Sequence, residues 1–164
     1  MNEVRGRRLL DGVLDGWDRS NQALLNLLRL VPTDCLDARA QTGSPTIAEM
    51  FTHLHHERMV SVLENVPECA GPVPEREWNP EPNPDRIAAM LTESAATVRR
   101  AVESRIQADG GLDRDFRHPV QLIQFLIFHE GYHHGQIKLA LKAAGRTPAD
   151  DDVGPLIWDV WRAR

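Results

Sequence analysis

Residues 118–145 read HPVQLIQFLIFHEGYHHGQIKLALKAAG, and this stretch predicts a long amphipathic helix. Its apolar residues recur at intervals of three and four, which is the spacing of one helix face. His118-Pro119 is a suitable start, because proline is tolerated at the first helical position. Gly145 is a suitable residue just beyond the end. We therefore expect a helix over about 119–144.

Three further segments have the same helical spacing, and they span about 4–31, 45–65 and 84–107. No segment of comparable length alternates apolar and polar residues as a strand would. At 164 residues the chain has the length of one domain. We therefore predict an all-α fold, a four-helix bundle within a single domain that spans 1–164.

Prolines and capping residues indicate where these segments begin and end. Pro32 ends the first segment, because the residue before a proline is disfavoured in the α conformation. Ser44-Pro45 begins the second segment, with Ser44 as the N-cap and the proline at the first helical position. Asn83-Pro84 repeats this signal at the start of the third segment.

Two segments lie outside the predicted helices. The stretch 66–84 holds six of the eleven prolines, so we predict a long extended connection between the second and third helices. The C-terminal tail, 146–164, contains Trp158 and Trp161 and is apolar enough to pack back on the bundle. Either segment could line a pocket, but packing on the surface is the simpler interpretation for both.

The composition argues against several classes of function. The net charge is −5, whereas a nucleic-acid-binding protein normally carries a basic surface, so we expect no nucleic-acid partner. The longest apolar run, Phe125–Phe128, is far shorter than a membrane span, so we expect no membrane association. The N-terminus lacks the apolar segment of a signal peptide, which indicates a cytoplasmic protein. Cys35 and Cys69 lie in different predicted loops and do not make a disulfide framework.

The seven histidines are concentrated in the second and fourth predicted helices. His129 and His133 are four residues apart, so their side chains lie on the same helix face. That face continues through Leu126 and Ile137, and both imidazoles should therefore point into the bundle. Two buried imidazoles each need a polar partner, and one metal ion would satisfy both. Core histidines satisfied by hydrogen bonds are the alternative interpretation.

The second helix contains His53, which lies on its predicted inward face and could supply a third nitrogen ligand. His55 is about 200° further round the helix, so we expect it in solvent. His56 and Glu57 flank the His53 face. Three histidine ligands would leave positions open for water or substrate, which is typical of a catalytic site. We interpret His55, His56 and His134 as surface residues, with a role beside or among the ligands as the alternative.

The segment from His129 to Ile137, HEGYHHGQI, resembles the C-terminal signature of the DinB / YfiT-like superfamily. Residues 47–58, IAEMFTHLHHER, resemble that superfamily's other ligand-bearing helix. The resemblance implies a metal-binding four-helix bundle, often a homodimer, with His53, His129 and His133 as the metal ligands. Characterised relatives include metal-dependent transferases that add low-molecular-weight thiols such as bacillithiol or mycothiol to electrophiles. Others isomerise or hydrolyse small molecules.

Residues 129–133, HEGYH, also satisfy the HExxH pattern of zinc peptidases, in which the glutamate is the general base. The extended form of that motif fails, because Ile137 and the residues after it do not supply the further glycine and histidine. No acidic helix after Gly145 is long enough to provide a third ligand. An HExxH-type zinc hydrolase is therefore the weaker interpretation, and Glu130 could equally be a solvated helix residue.

These observations together predict a metal-dependent enzyme that acts on small molecules, as a thiol-dependent S-transferase or a hydrolase. The expected cofactor is a divalent transition metal, zinc or nickel first, with iron or manganese as alternatives. The metal would lower the pKa of a bound thiol or water, and Glu57 or Glu130 is the nearest candidate base. The expected partners are a small-molecule substrate, including a low-molecular-weight thiol, and a second copy of the chain. The alternative is a non-enzymatic metal-binding or stress-related helical dimer.

Overall fold

The structure is a computed structural model that describes residues 2–162, with side chains described from Gly6 onward. Met1, Ala163 and Arg164, the ends of the predicted domain, lie outside the described residues. Within this range the chain is helical and contains no β-strand, so the predicted all-α class is confirmed. The four long helices are α1 Asn2–Leu30, α2 Ile47–Asn65, α3 Pro84–Gln107 and α4 Pro119–Ala143.

The first turn of α2 corrects one sequence prediction. The helix begins at Ile47 instead of residue 45, and its N-cap is Thr46 rather than Ser44. The Thr46 side chain accepts a hydrogen bond from the Glu49 N–H, and the Glu49 carboxylate accepts one from the Thr46 N–H. This reciprocal pair satisfies two N–H groups at the helix end, which is the physical reason for the later start.

The helices α3 and α4 begin at the prolines that the sequence indicated. The Asn83 side chain accepts hydrogen bonds from the N–H groups of Asp85 and Arg86 at the start of α3. At the start of α4, His118 Nδ1 accepts a hydrogen bond from the Val120 N–H. His118 is therefore an exposed capping residue, and the other six histidines lie within α2 and α4.

Two apolar clusters form the core, and a polar layer separates them. The first cluster includes Leu24, Leu27, Leu28, Ile47, Phe51, Leu54, Ile87, Leu91, Ile137 and Leu141. The second cluster includes Leu14, Trp17, Val62, Val66, Val98, Val102, Leu122 and Leu126. Each of the four helices contributes to both clusters and carries polar residues between them, which are Ser20, Asn21, Arg58, Ser94 and Glu130. We call these five residues the polar layer.

The C-terminal tail lies against α1. It consists of two short helices and a π-helical turn between them, which are α5 Asp150–Val153, the turn Gly154–Trp158 and α6 Asp159–Arg162. The Asn26 amide on α1 donates a hydrogen bond to the Leu156 carbonyl at 2.7 Å, and Ile157 is buried in the first apolar cluster. Trp158 and Trp161 remain exposed.

The structure also bears on two sequence predictions, about membrane association and about the two cysteines. No helix within residues 2–162 combines the length and the apolar character that crossing a membrane requires. Cys35 is buried, Cys69 is partly buried, and both are free thiols. The cytoplasmic location expected from the sequence stays a prediction.

Candidate metal centre

Three histidines from two helices converge at one point. His53 lies on α2, whereas His129 and His133 lie one turn apart on α4. The Nε2 atom of His129 is 3.1 Å from His53 Nε2 and 3.1 Å from His133 Nε2. One nitrogen of each ring lies within 4.8 Å of the other two. We call these residues the histidine cluster, and they are the three that the sequence singled out as metal ligands.

Hydrogen bonding between the rings cannot account for both short contacts. An imidazole nitrogen carries either one proton or one in-plane lone pair, so it takes part in a single hydrogen bond. His129 Nε2 can therefore be satisfied by only one of its two neighbours, whereas one cation could accept the lone pairs of all three rings. At a zinc–nitrogen distance of about 2.0–2.1 Å, two nitrogens on one ion lie roughly 2.9–3.4 Å apart. The observed separations of 3.1 Å fall within that range.

The surroundings keep these imidazoles neutral. His53 and His133 are each only 6% exposed. Burial, together with the neighbouring imidazoles, lowers the pKa of both His53 and His133 to about 4. Burial also lowers the pKa of His129, although three nearby glutamates act in the opposite direction. Neutral imidazole is the form that binds a metal, so at neutral pH the cluster could take up an ion without first losing protons.

The outer nitrogens of the cluster lack hydrogen bonds. Nδ1 is buried without a hydrogen-bond partner in all three rings. His53 Nδ1 nevertheless lies 3.0 Å from the Oε1 atom of Glu77, at an angle that is not that of a hydrogen bond. Sequence reasoning missed Glu77, because nothing in the spacing of an extended connection indicates which of its side chains reach the bundle.

The connection between α2 and α3 covers one side of the cluster. The Trp78 indole stacks on the His53 ring, with centroids 4.0 Å apart and planes 7° from parallel. It also meets the His133 ring edge-on, with centroids 6.1 Å apart. The interpretation of 66–84 as surface packing is therefore wrong around Trp78, although 40% of that side chain remains exposed.

Aromatic residues of α4 lie on another side of the cluster. Phe125 stacks on His129 with centroids 5.9 Å apart, and Tyr132 meets the His133 ring edge-on at 5.1 Å. Phe125 and Tyr132 are both exposed, and His129 is partly exposed. The cluster therefore lies near the surface of the bundle, where a small molecule could reach it.

Glu130 lies in the polar layer and is 3% exposed. Its carboxylate accepts hydrogen bonds from Arg58 Nε at 2.7 Å and from Ser20 Oγ at 3.2 Å. The alternative of a solvated helix residue is therefore wrong. Both carboxylate oxygens are held by other side chains, which favours a structural role over that of the general base in an HExxH site.

Arg58 is the partner of Glu130, and sequence reasoning missed it. The guanidinium is fully buried, and its carbon lies 4.8 Å from the centre of the Trp17 ring. Its Nη1 group donates hydrogen bonds to acceptors on α1 and α3, which are Asn21 Oδ1, the Leu91 carbonyl and Ser94 Oγ. Through these contacts and Glu130, Arg58 connects all four helices.

One signal in the sequence could have identified Arg58. Leu54, Arg58 and Val62 are each four residues apart on α2, so the arginine lies on the same stripe as two core residues. A charge on a buried stripe requires a partner of opposite charge. Glu130 follows Leu126 by four residues on α4 and provides that partner.

His55 is buried, and the expectation that it lies in solvent is wrong. Its Nδ1 atom is 2.9 Å from the Met90 carbonyl oxygen on α3, to which it donates a hydrogen bond. The physical reason is that α2 packs on α3 as well as on α4, so it has two buried faces rather than one. Burial lowers the pKa of His55 as it does for the cluster.

Three further polar residues lie around the cluster without joining it. His56 and His134 are partly buried rather than fully solvated, and burial lowers the pKa of His134 to about 4. Glu57 is also partly buried, and one of its carboxylate oxygens accepts a hydrogen bond from Ser61 Oγ at 3.3 Å. The charge of Glu57 acts against the lowering of the His129 pKa, as do the charges of Glu130 and Glu77. The role of Glu57 as a base stays a prediction.

Two surface cavities lie away from the cluster. One of about 630 Å³ lies between α1 and α3, and another of about 930 Å³ lies where the first turns of α1 meet the last turns of α3. Neither is lined by a histidine. We therefore locate the functional site by its converging donor atoms rather than by cavity volume.

The fold and the cluster define a class of protein, an all-helical bundle with a candidate three-histidine metal centre on two of its helices. The sequence-family model described as the DinB superfamily matches residues 17–137, which include every histidine of the cluster. The chain belongs to the DinB superfamily. No curated protein and no solved structure matches the chain.

Proposed function

We propose that this protein is a metal-dependent enzyme that acts on small molecules, as a thiol-dependent S-transferase or a hydrolase, through the histidine cluster. The observation that carries the proposal is the convergence of three neutral imidazole nitrogens, two of them 3.1 Å from the third. Three protein ligands leave coordination positions for water or substrate, as catalytic sites do. The superfamily to which the chain belongs includes metal-dependent thiol transferases, which supports the same function.

His53, His129 and His133 would hold the ion. An all-nitrogen donor set suits zinc or nickel, with iron or manganese as alternatives. A divalent ion bound there would act as a Lewis acid and lower the pKa of a thiol or water bound to it. The rings themselves stay neutral, and the Trp78 indole shields one face of His53 from water.

Two glutamates have different roles in this proposal. Glu57 is the candidate proton acceptor, because it is partly buried and follows His53 by one turn of α2. Glu130 is a positioning residue, because its ion pair with Arg58 holds α4 against α2. This pair thereby keeps His129 and His133 at a fixed distance from His53.

The reaction can be written from these groups. In S-transfer the thiol proton passes to Glu57, a bond forms between sulfur and an electrophilic carbon, and the electron pair leaves with the displaced group. That group, or the product, recovers the proton from Glu57. In hydrolysis a water molecule takes the place of the thiol. The exposed part of the Trp78 indole offers a ring surface to an unsaturated or aromatic electrophile.

The test is an activity screen with metal-loaded and metal-stripped protein. Low-molecular-weight thiols are combined with a chloro-dinitrobenzene electrophile, and a nitrophenyl ester reports hydrolysis. We expect a rate above buffer that requires the metal and falls about 100-fold in Glu57→Gln, with Glu64→Gln, two turns further along α2, as the control. No metal-dependent rate with zinc, nickel, iron or manganese would contradict the enzyme proposal.

A second candidate function is a metal-dependent stability or sensing module. It is favoured because the histidines of the cluster come from two helices. An ion held by His53 on α2 and by two residues of α4 would cross-link these helices. A chelator would then lower the melting temperature of a protein that shows no activity in the screen. An enzyme whose fold does not depend on the ion would lose activity and keep its melting temperature.

The proposal includes a homodimer that forms through α4. Phe125, Phe128, Tyr132 and Leu139 lie within about 60° of one another around the helix, and all four are exposed. We call these residues the α4 face. The exposed residues of α4 from Gln121 to Leu139 are uncharged, so two copies of this face can meet without repulsion between like charges. A second copy of the chain is the partner that these observations favour.

A further inference from the structure

One ring of the histidine cluster has a carboxylate beside its outer nitrogen. The distance from His53 Nδ1 to Glu77 Oε1 is 3.0 Å. Among the residues that the structure describes, neither His129 nor His133 has a carboxylate within ion-pair distance, and the polar side chain beside His133 is the uncharged Gln136. The three ligand candidates are therefore not equivalent, and the difference comes from a residue outside the four helices.

We propose that Glu77 is the positioning residue for His53, and that its carboxylate accepts a hydrogen bond from Nδ1–H, so that the Nε2 lone pair faces the centre of the cluster. This inference rests on the proposed metal site. It assigns part of that site to the connection between α2 and α3, which supplies no ligand of its own.

The argument follows from the chemistry of imidazole. A neutral imidazole has one N–H group, so a ring that ligates through Nε2 carries its proton on Nδ1. His53 is buried, and an N–H without an acceptor there would be costly. Glu77 Oε1 lies 3.0 Å from Nδ1 and its side chain is half exposed, so the carboxylate is near enough to become that acceptor once its oxygen moves into line with the N–H. Ligating histidines commonly donate their second N–H to such a group.

The residue after Glu77 restrains the same ring. Trp78 stacks on the face of His53 and Glu77 lies beside its Nδ1 atom, so two adjacent residues contact the same imidazole. The backbone around them is itself restricted by Pro74 and Pro80, which fix their own φ angles. The geometry of one ligand is therefore set by a stiff segment that lies across the bundle surface.

The test compares Glu77→Gln with Glu75→Gln in the full chain, with zinc as the probe. Glu75 is an exposed glutamate of the same connection and provides a matched control. Zinc affinity is measured by competition with a chromophoric chelator, and histidine tautomers are read by nitrogen-detected NMR of the zinc-loaded proteins. We expect Glu77→Gln to bind zinc about 10–100-fold more weakly and to change the Nδ1–H signal of His53, with Glu75→Gln within about twofold of the parent. Glu77→Asp, which keeps the carboxylate, should retain more affinity than Glu77→Gln.

The outcomes separate this inference from the proposed function. A parent protein that binds no zinc, nickel or manganese overturns the metal site itself. A parent that binds zinc, with Glu77→Gln binding equally tightly, overturns only the role of Glu77. A weaker Glu77→Gln whose His53 Nδ1–H signal is unchanged also overturns it, because the loss would then not pass through His53.

Discussion

At the scale of single residues, Arg58 and Glu130 form an ion pair that is buried inside the bundle. Both side chains are almost completely withdrawn from water, and each charge depends on the other for compensation. Ser20 donates a further hydrogen bond to Glu130 and Arg58 donates one to Asn21, whereas Arg58 Nη2 is buried without a hydrogen-bond partner. Removal of one charge would leave the other buried without its counter-ion.

Replacement of Arg58 by Met should lower the free energy of unfolding by about 3–5 kcal/mol, because Glu130 then remains buried and unpaired. The double replacement Arg58→Met with Glu130→Leu should cost less than the sum of the single replacements. Urea unfolding of the metal-stripped protein measures the change in the free energy of unfolding for the single and the double variants. A single variant that costs less than about 1 kcal/mol would show that the pair is not a structural requirement.

The stability of the metal-stripped protein should depend on pH through His53 and His133. Both have a pKa of about 4 in the folded chain, against about 6.5 when unfolded, so between these values the unfolded chain binds more protons. Their contribution to the free energy of unfolding is therefore fully present above pH about 6.5 and is lost as the pH falls toward 4. Urea unfolding across this pH range should show that loss. In His53→Gln the free energy of unfolding should change less steeply with pH. Stability that stays constant from pH 7 to 5 would contradict the burial of neutral imidazoles.

Sequence spacing located the histidine cluster, but it did not locate the residues that support it. His129 and His133 share a face by their separation of four, and His53 faces inward by the period of α2, so both features follow from local geometry. His55 and Glu77 could not be placed in this way. The position of His55 depends on α3 packing against a second face of α2, and that of Glu77 depends on the course of an extended segment.

At the scale of elements, the start of α2 tests how capping selects a helix boundary. Thr46→Ala should lower the free energy of unfolding by about 1 kcal/mol, because it removes the acceptor of the Glu49 N–H. Ser44→Ala should change it by less than about 0.5 kcal/mol, because Ser44 is not the N-cap. Thermal or urea unfolding distinguishes the two. A larger cost for Ser44→Ala than for Thr46→Ala would restore the boundary predicted from the sequence.

The first residue of a helix was predictable where a capping side chain directly precedes a proline. Asn83-Pro84 and His118-Pro119 each mark a helix start in the structure. Ahead of α2, two overlapping signals compete, and the reciprocal pair of Thr46 and Glu49 prevails over a single cap. The start of α2 therefore depends on which of two possible caps is more stable, and recognising one capping pattern in the sequence did not decide this.

At the scale of the whole molecule, the α4 face is the surface on which the dimer proposal depends. Phe128→Glu places a charge at the centre of that face and should convert a dimer into a monomer. Leu9→Glu alters a similarly exposed apolar residue on α1 and should leave the dimer intact. Sedimentation or light scattering of the parent and both variants measures the mass. A monomeric parent, or a Phe128→Glu variant that remains dimeric, would contradict this interface.

The bundle as a whole follows from four amphipathic segments, and its class was predictable for that reason. The course of the connection between α2 and α3 was not, because six prolines exclude a helix without indicating which surface the segment crosses. The structure brings Trp78 onto His53. A segment without periodicity thus supplies part of the candidate site.

The metal content of the protein, purified without a histidine tag, tests the central claim most directly. The parent should carry about one equivalent of a transition metal, and His53→Ala, His129→Ala and His133→Ala should each lose it, because each removes one of the converging nitrogens. His55→Ala should retain the metal, because His55 is hydrogen-bonded to Met90 and lies outside the cluster. A parent that holds no metal and binds none when zinc, nickel or manganese is added would contradict the account. Loss of metal in His55→Ala together with retention in His53→Ala would contradict the choice of ligands.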